Sequence, residues 1–248
     1  ANARDEANRK VLDKELERAR HDRDELQKKV DEEGFDDDNI NPYLDDKNKA
    51  DKRVKDLEKI QNLMGEKEGD GSKYHLLTLD ASGDKDVRAA IAMGDVDKAS
   101  NIATVVPGVG TTVRDSMDGE LHKAEELRNH SGSDNTAAVA WIGYDTPDAM
   151  WSPETLGRAD EGARSLNGFH EGIHAYRQSQ GHDPHITTVA HSYGSLTAGT
   201  AALTTKAGAV DDMVLYGSPG GRATDVHQYN VPDGHVYVSA NKGDFVVG

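Results

Sequence analysis

Apolar positions along this chain follow two rhythms, and the change between them falls near residue 70. Before it, Leu12, Leu16, Ala19, Leu26 and Val30 recur at helical spacing, and so do Ala50, Val54, Leu57, Ile60 and Met64. Residues 33–42 between them read as a loop by composition. The pattern predicts an antiparallel helical hairpin over residues 1–68, its narrow apolar seam packed on itself and on the adjoining domain. Beyond residue 73 the apolar residues come in short runs between turns, predicting strands at 74–79, 87–93, 102–106, 137–144, 186–190, 213–216 and 236–240. The last five runs are continuous, as expected of strands covered on both faces. Helices are expected near 162–179 and over 195–207. Such alternation predicts an α/β fold over residues 73–248, with a mostly parallel, doubly wound sheet of seven strands. The first two strands form an antiparallel edge hairpin, and no residues are left for an eighth strand.

Charge and composition remove several functions. The formal net charge is −16, so no basic stripe is expected for nucleic acid or anionic lipid. With no cysteine, disulfides, thiol nucleophiles and Cys-ligated zinc are excluded; a secreted or cell-envelope setting is compatible with this. No apolar run is long enough for a membrane span. The chain opens on Ala1 and is expected to be a piece of a longer protein. The charged hairpin reads as a solvated extension, a substrate cap, or an arm for a protein partner or self-association. Its acidic loop fails the calcium-loop spacing, since position five of a frame from Asp36 is Ile40 and no glycine follows.

The densest chemical signal is Ile186-Thr187-Thr188-Val189-Ala190-His191-Ser192-Tyr193-Gly194-Ser195-Leu196. A buried strand runs into a tight turn with a serine at its apex and then into a small-residue helix. This is the nucleophile elbow of the α/β-hydrolase fold, with alanine at the first glycine of G-x-S-x-G. The residues two before and two after the serine come close together and must be small, as Ala190 and Gly194 are. In an open parallel sheet, functional groups gather beyond the C-terminal strand ends. After the third strand comes the turn Pro107-Gly108-Val109-Gly110-Thr111-Thr112. Its Val109 N–H, with that of Tyr193, would form the oxyanion hole, and Gly108 would border the substrate. After the seventh strand comes Asp244, the candidate triad acid, with Asp225 as the alternative. Tyr144, Met150 and Trp151, near the end of the fourth strand, would line an acyl pocket or pack the core.

The base has no obvious candidate. In this fold the histidine follows the acid, and only Phe245, Val246, Val247 and Gly248 follow Asp244. His235 opens the seventh strand, at the end away from Ser192; His227 lies in a connection; His191 adjoins the serine and points elsewhere. The catalytic histidine and an eighth strand are therefore expected beyond Gly248. A competing motif is His170-Glu171-Gly172-Ile173-His174, which matches the zinc-binding H-E-x-x-H. It has no downstream glutamate, Arg177 and Gln180 stand where an extended motif needs glycine and histidine, and Gly172 weakens the helix. Both histidines then fall on an outer or half-buried helix face, and no metal or other cofactor is expected.

Several pieces occur together in order: Met93-Gly94-Asp95-Val96-Asp97-Lys98-Ala99, Val105-Val106-Pro107-Gly108-Val109-Gly110-Thr111-Thr112, Trp141-Ile142-Gly143-Tyr144-Asp145-Thr146-Pro147, Val189-Ala190-His191-Ser192-Tyr193-Gly194-Ser195, Gly217-Ser218-Pro219-Gly220 and Gly243-Asp244. On these, residues 74–248 resemble the α/β-hydrolase family formerly known as domain of unknown function 1023, α/β-hydrolase family 8. The resemblance implies Ser192 as nucleophile, Asp244 as acid, a histidine further on, and esterase- or lipase-like activity on small-molecule or lipid esters. Two other readings compete with it. One is a non-catalytic or toxin-like interaction protein docking through the hairpin; the other is a zinc hydrolase using His170 and His174.

Overall fold

The computed structural model describes residues 2–34, 41–69, 71–83, 85–150, 152 and 154–239. Two helices come first, α1 (Asn2–Glu33) and α2 (Leu44–Met64), followed by a two-residue antiparallel ladder, Lys67–Glu68 with Gly71–Ser72. The main elements are then β1 (Tyr74–Asp80), β2 (Arg88–Met93), β3 (Asn101–Val106), α3 (Val113–Asn129), β4 (Thr136–Ile142), α4 (Thr155–Ser179), β5 (His185–His191), α5 (Tyr193–Ala202), β6 (Asp212–Tyr216) and β7 (Val236–Ser239). The strands form one 7-stranded sheet in the order β1-β2-β4-β3-β5-β6-β7. β1 and β2 pair antiparallel, as do β2 and β4, and every later pairing is parallel. All seven expected strands are present, with Ala240 outside the described residues.

β4 lies near the middle of the sheet, and every residue of Thr136–Ile142 is buried. On one face α4 and α5 pack Ala159, Leu166, Ile173 and Ala198 against Ile102, Val106, Val139 and Trp141. On the other, Leu12, Leu16, Leu57 and Ile60 of the helical pair meet Leu76, Ile91, Met93 and Ile142 together with Val113, Met117 and Leu121 of α3. The hairpin is therefore not merely a solvated extension. Leu57 and Ile60 are both 0% exposed, and its seam is shared with the sheet. Side chains of α1 also close the free edge of β1, where unpaired backbone groups would invite another strand. Asp5 Oδ1 accepts the Leu76 N–H at 2.7 Å and Asn8 Nδ2 donates to the Leu76 carbonyl at 2.9 Å. Arg9 Nη2 donates to the Tyr74 carbonyl at 2.9 Å and Nη1 to the Met64 carbonyl at 2.6 Å.

Three expectations change. Helix α3 was not expected from the apolar pattern, although Val113, Met117, Leu121 and Ala124 make a clear buried stripe. The helix after Ser192 begins at Tyr193 and ends at Ala202, short of residue 207. Its last carbonyls are taken by side chains and loop backbone: Asn167 Nδ2 bonds the Ala201 oxygen at 3.1 Å, and Asn230 N–H the Ala202 oxygen at 2.7 Å. Finally, β7 is exposed beyond Val236, and β5 and β6 are not covered on both faces by the described residues. Burial alternates along them, leaving Thr187, Val189, Val214 and Tyr216 half-exposed along an open groove of about 660 Å³ beside α3. Right-handed crossovers explain this, because successive connections running toward β7 stay on the α4–α5 side.

Candidate active site

Ser192 lies between the last residue of β5 and the first of α5, with φ 53 and ψ −125. A left-handed φ costs a non-glycine residue roughly 1–3 kcal/mol, and the surroundings must enforce it. They do so from three sides. The Ser192 N–H donates to the Tyr216 carbonyl at 3.0 Å, extending the β5–β6 ladder by one bond past His191. The Ser192 carbonyl accepts the Ser195 N–H at 2.9 Å and the Ser195 hydroxyl at 2.5 Å. The Ser195 hydroxyl in turn meets Ser218 Oγ at 2.7 Å, which ties the elbow to the loop after β6. Ser192 itself remains half-exposed, while Ala190, Tyr193, Gly194 and Ser195 around it are buried.

The turn after β3 is pressed against this elbow. A methyl group on Gly194 would stand 2.4 Å from the carbonyl oxygens of both Val106 and Pro107, so only glycine fits there. A methyl group on Gly108 would stand 3.2 Å from Ser192 Cβ, which shows how closely that backbone passes the serine. The turn is braced by the Thr111 hydroxyl, which donates to the Gly108 carbonyl at 2.8 Å. A second brace is the Gly110 N–H, donating to the Pro147 carbonyl at 3.1 Å. Val109 is half-buried against the core. Tyr193 is the first residue of α5, where backbone N–H groups have no intrahelical partner and the helix dipole favours negative charge. The fold thus brings Gly108 against Ser192, with Val109 and Tyr193 the next residues of the two segments.

Other candidates are placed elsewhere. Asp244 and Trp151 lie outside the described residues. Asp225 is occupied as a cap, accepting the His227 N–H at 2.9 Å at the head of the Val226–Gln228 turn. His227 Nδ1 meets Asp233 at 2.9 Å, and this contact raises its pKa. His235 Nδ1 meets Asp212 Oδ1 at 2.7 Å, and His185 Nε2 bonds the other oxygen of the same carboxylate. Burial would raise the Asp212 carboxyl, but these two histidine bonds outweigh it and hold it below the usual range. His185 and Asp212 open β5 and β6, so this cluster sits at the end of the sheet away from Ser192. The His191 ring packs on Tyr216, centroids 4.8 Å apart.

Tyr144 belongs to the core rather than to an open pocket. It is 1% exposed, stacked between Trp141 and Tyr193 at 5.7 and 6.2 Å, and its hydroxyl accepts from Thr197 Oγ1 at 3.1 Å. Gly162 makes room for it, since a methyl group there would stand 2.8 Å from the Tyr144 ring. Of the H-E-x-x-H histidines, His174 is half-buried as expected, whereas His170 diverges. His170 is only 1% exposed, bonds Thr104 Oγ1 at 3.1 Å through Nε2, and burial lowers its pKa to about 4. His174 turns to Asp183 at 3.3 Å, while Glu171 pairs with Lys206 at 3.0 Å. The helix packs flat on the sheet, so position 170 lands over β3 instead of on an outer face. Among the described residues, no group of three His, Cys, Asp or Glu side chains is arranged to hold a metal ion. Sequence reasoning missed Ser195 and Ser218; a serine three residues after Ser192 was a visible signal, but its partner on the next strand's loop was not.

An α/β-hydrolase family model matches residues 82–247. The uncharacterized protein Rv0963c of Mycobacterium tuberculosis is 36% identical over 182 residues, covering 69% of this chain and 67% of that protein. A second protein of that organism, the uncharacterized protein Rv2079, is 32% identical over 165 residues, 63% of this chain and 25% of its own length. Among solved structures, a Bacillus coagulans carboxyl esterase is similar over 58% of this chain, with 23% identity and a TM-score of 0.36; the chain spans only 44% of that esterase. A Trichoderma reesei cutinase is similar over 60% of this chain and 64% of its own, with 15% identity and a TM-score of 0.44. With the family model spanning the sheet from before β2 through the elbow and beyond β7, the chain belongs to the α/β-hydrolase family.

Proposed function

We propose that this protein is a serine hydrolase of carboxylic esters, with Ser192 as its nucleophile. The observation that carries the reading is the backbone of Ser192, held at φ 53 on the β5–α5 turn with Gly108 against it. Strain of that kind has no packing purpose at a half-exposed serine and serves to project its hydroxyl toward substrate. In the proposed reaction Ser192 Oγ attacks the acyl carbonyl while its proton passes to a histidine. The Tyr193 and Val109 N–H groups receive the oxyanion, reinforced by the start of α5. Collapse of the tetrahedral intermediate breaks the ester C–O bond. The histidine returns its proton to the departing alkoxide, and water then releases the acid by the same path.

Asp244 is proposed as the carboxylate that orients the histidine, and the histidine itself as a residue following Gly248. His185 and His235 share Asp212 at the end of the sheet away from the elbow, and His227 is engaged with Asp233. Met150 and Trp151, on the segment after β4, are proposed to border the acyl group, and the bare backbone of Gly108 to let it approach.

A fluorophosphonate probe applied to the full-length protein tests the assignment. Wild type should be labelled on Ser192, and Ser192→Ala should not be labelled. Labelling that persists in Ser192→Ala rejects the reading.

A further inference from the structure

The turn facing Ser192 is anchored at its far end by a residue of the N-terminal hairpin. Helix α3 begins at Val113, yet its N-cap Thr112 makes no capping bond; the Thr112 hydroxyl turns to Asp115 Oδ2 at 2.9 Å. The cap is supplied by Asp56, from the middle of α2. Asp56 Oδ1 accepts the Arg114 N–H at 2.8 Å, and Oδ2 accepts Arg114 Nη1 at 2.9 Å. The Val87 N–H reaches Oδ2 at 3.4 Å, and Arg114 Nη1 also bonds Asp86 Oδ1 at 2.6 Å. Asp56 is 0% exposed. Its burial pushes the carboxyl up to about 6 against the attraction of Arg114, so keeping a charge at this point costs free energy. A helix dipole favours a carboxylate at its N-terminus, but a side chain on the helix itself usually provides it.

The position matters because of what lies between two fixed points. Upstream, Val106 is the last residue of β3, 0% exposed and paired with Ala190 of β5. Downstream, Val113 is also 0% exposed and packs in the cluster that holds α2. The intervening residues 107–112 carry Gly108 and Val109 past Ser192. A displacement of Arg114 moves the downstream anchor and thus the direction of the N–H groups in this turn.

We propose that Asp56 is a positioning residue of the active site: through Arg114 it fixes the first turn of α3 and with it the oxyanion turn, so the hairpin is part of the catalytic apparatus. The proposal rests on the Ser192 reading above and extends it to a residue outside the matched span 82–247. Its consequence is specific. Loss of Asp56 slows acyl transfer without weakening ground-state binding of the ester.

The test uses Asp56→Ala and Asp56→Asn in the full-length protein, with kcat and KM measured on an aryl ester and hydrogen–deuterium exchange followed over residues 107–116. Asp56→Ala should lower kcat on the order of 10²-fold, the scale set by misplacing a catalytic group by about 1 Å, with KM within about twofold. Asp56→Asn, which keeps an acceptor for the Arg114 N–H but not the charge, should fall in between. Exchange should accelerate over 107–116 in both variants. Glu58→Ala, on the same helix as Asp56, removes only an exposed pair with Arg20 of α1 and should change neither readout. Unchanged kcat, a rise confined to KM, or unchanged exchange in a folded variant overturns the proposal. If Asp56→Ala does not fold, Asp56→Asn is judged by the same criteria. Absence of wild-type turnover and fluorophosphonate labelling would end the serine-hydrolase reading, whereas unchanged exchange would end the Asp56 proposal alone.

Discussion

Gly194 and Pro107 touch so closely that no side chain fits between them: a methyl group on Gly194 would lie 2.4 Å from the Pro107 carbonyl oxygen. This contact joins the elbow to the turn after β3, the two segments that the proposed chemistry needs within one ester's reach. Because the obstacle is backbone on both sides, neither partner can swing away as a flexible side chain would. Gly194→Ala should therefore destabilise the fold by about 1–3 kcal/mol, as overpacking does, and separate the two segments. Fluorophosphonate labelling should drop steeply in the fraction that remains folded. Chemical denaturation and labelling rates measured on the same preparation check both effects. Full labelling in Gly194→Ala would show that the contact is incidental.

Backbone strain at Ser192 leads to a prediction in the opposite direction. Glycine adopts φ 53 without steric penalty, whereas alanine retains it. Ser192→Gly should thus be more stable than Ser192→Ala by about 1 kcal/mol, even though glycine is normally the worse residue for stability. Both variants should lose ester turnover. Equal stabilities would mean that the turn relaxes and stores no strain.

The sheet was largely legible because strand signals are local. Runs such as Ile102 to Val106 and Ala137 to Ile142 are apolar, bounded by turns and of strand length. The tight turn at Ser192 was legible for the same reason, since the strand, the turn and the small residues at 190 and 194 are contiguous. What escaped depended on distant partners. The stripe Val113–Met117–Leu121 was present but interrupted by charges that the fold tolerates: Arg114 is paired with Asp56 and Asp86, and Lys123 with Glu120. Tyr144 looked equally suited to a pocket or a core, and only its position under α5 decides the matter. His170 could not be told from a surface histidine, because the side chain that satisfies it, Thr104, is on a strand 66 residues away.

The hairpin should prove essential to folding. Its seam covers Leu76, Ile91 and Met93, which removal of residues 1–66 would expose along with the backbone edge of β1. Leu57→Ala should cost about 2–5 kcal/mol, the range for a large-to-small change in a packed core. The measurement is the midpoint of chemical denaturation by two probes. A loss under about 0.5 kcal/mol, typical of surface sites, would show that the hairpin is dispensable packing.

His170 should make the fold sensitive to acid. Burial lowers its pKa from 6.5 to about 4, so the unfolded chain binds a proton there at a pH where the native one does not. Stability rises with pH wherever the unfolded state holds more protons. The contribution is therefore complete above pH 6.5 and is lost progressively as pH falls toward 4. A shift of this size corresponds to about 3 kcal/mol across that window. His170→Gln keeps a partner for the Thr104 hydroxyl without a titrating ring. Its unfolding free energy should accordingly decline less than that of wild type between about pH 7 and about pH 4.5. Parallel declines would show that His170 is protonated in the native protein, and that its buried contact with Thr104 tolerates the charge.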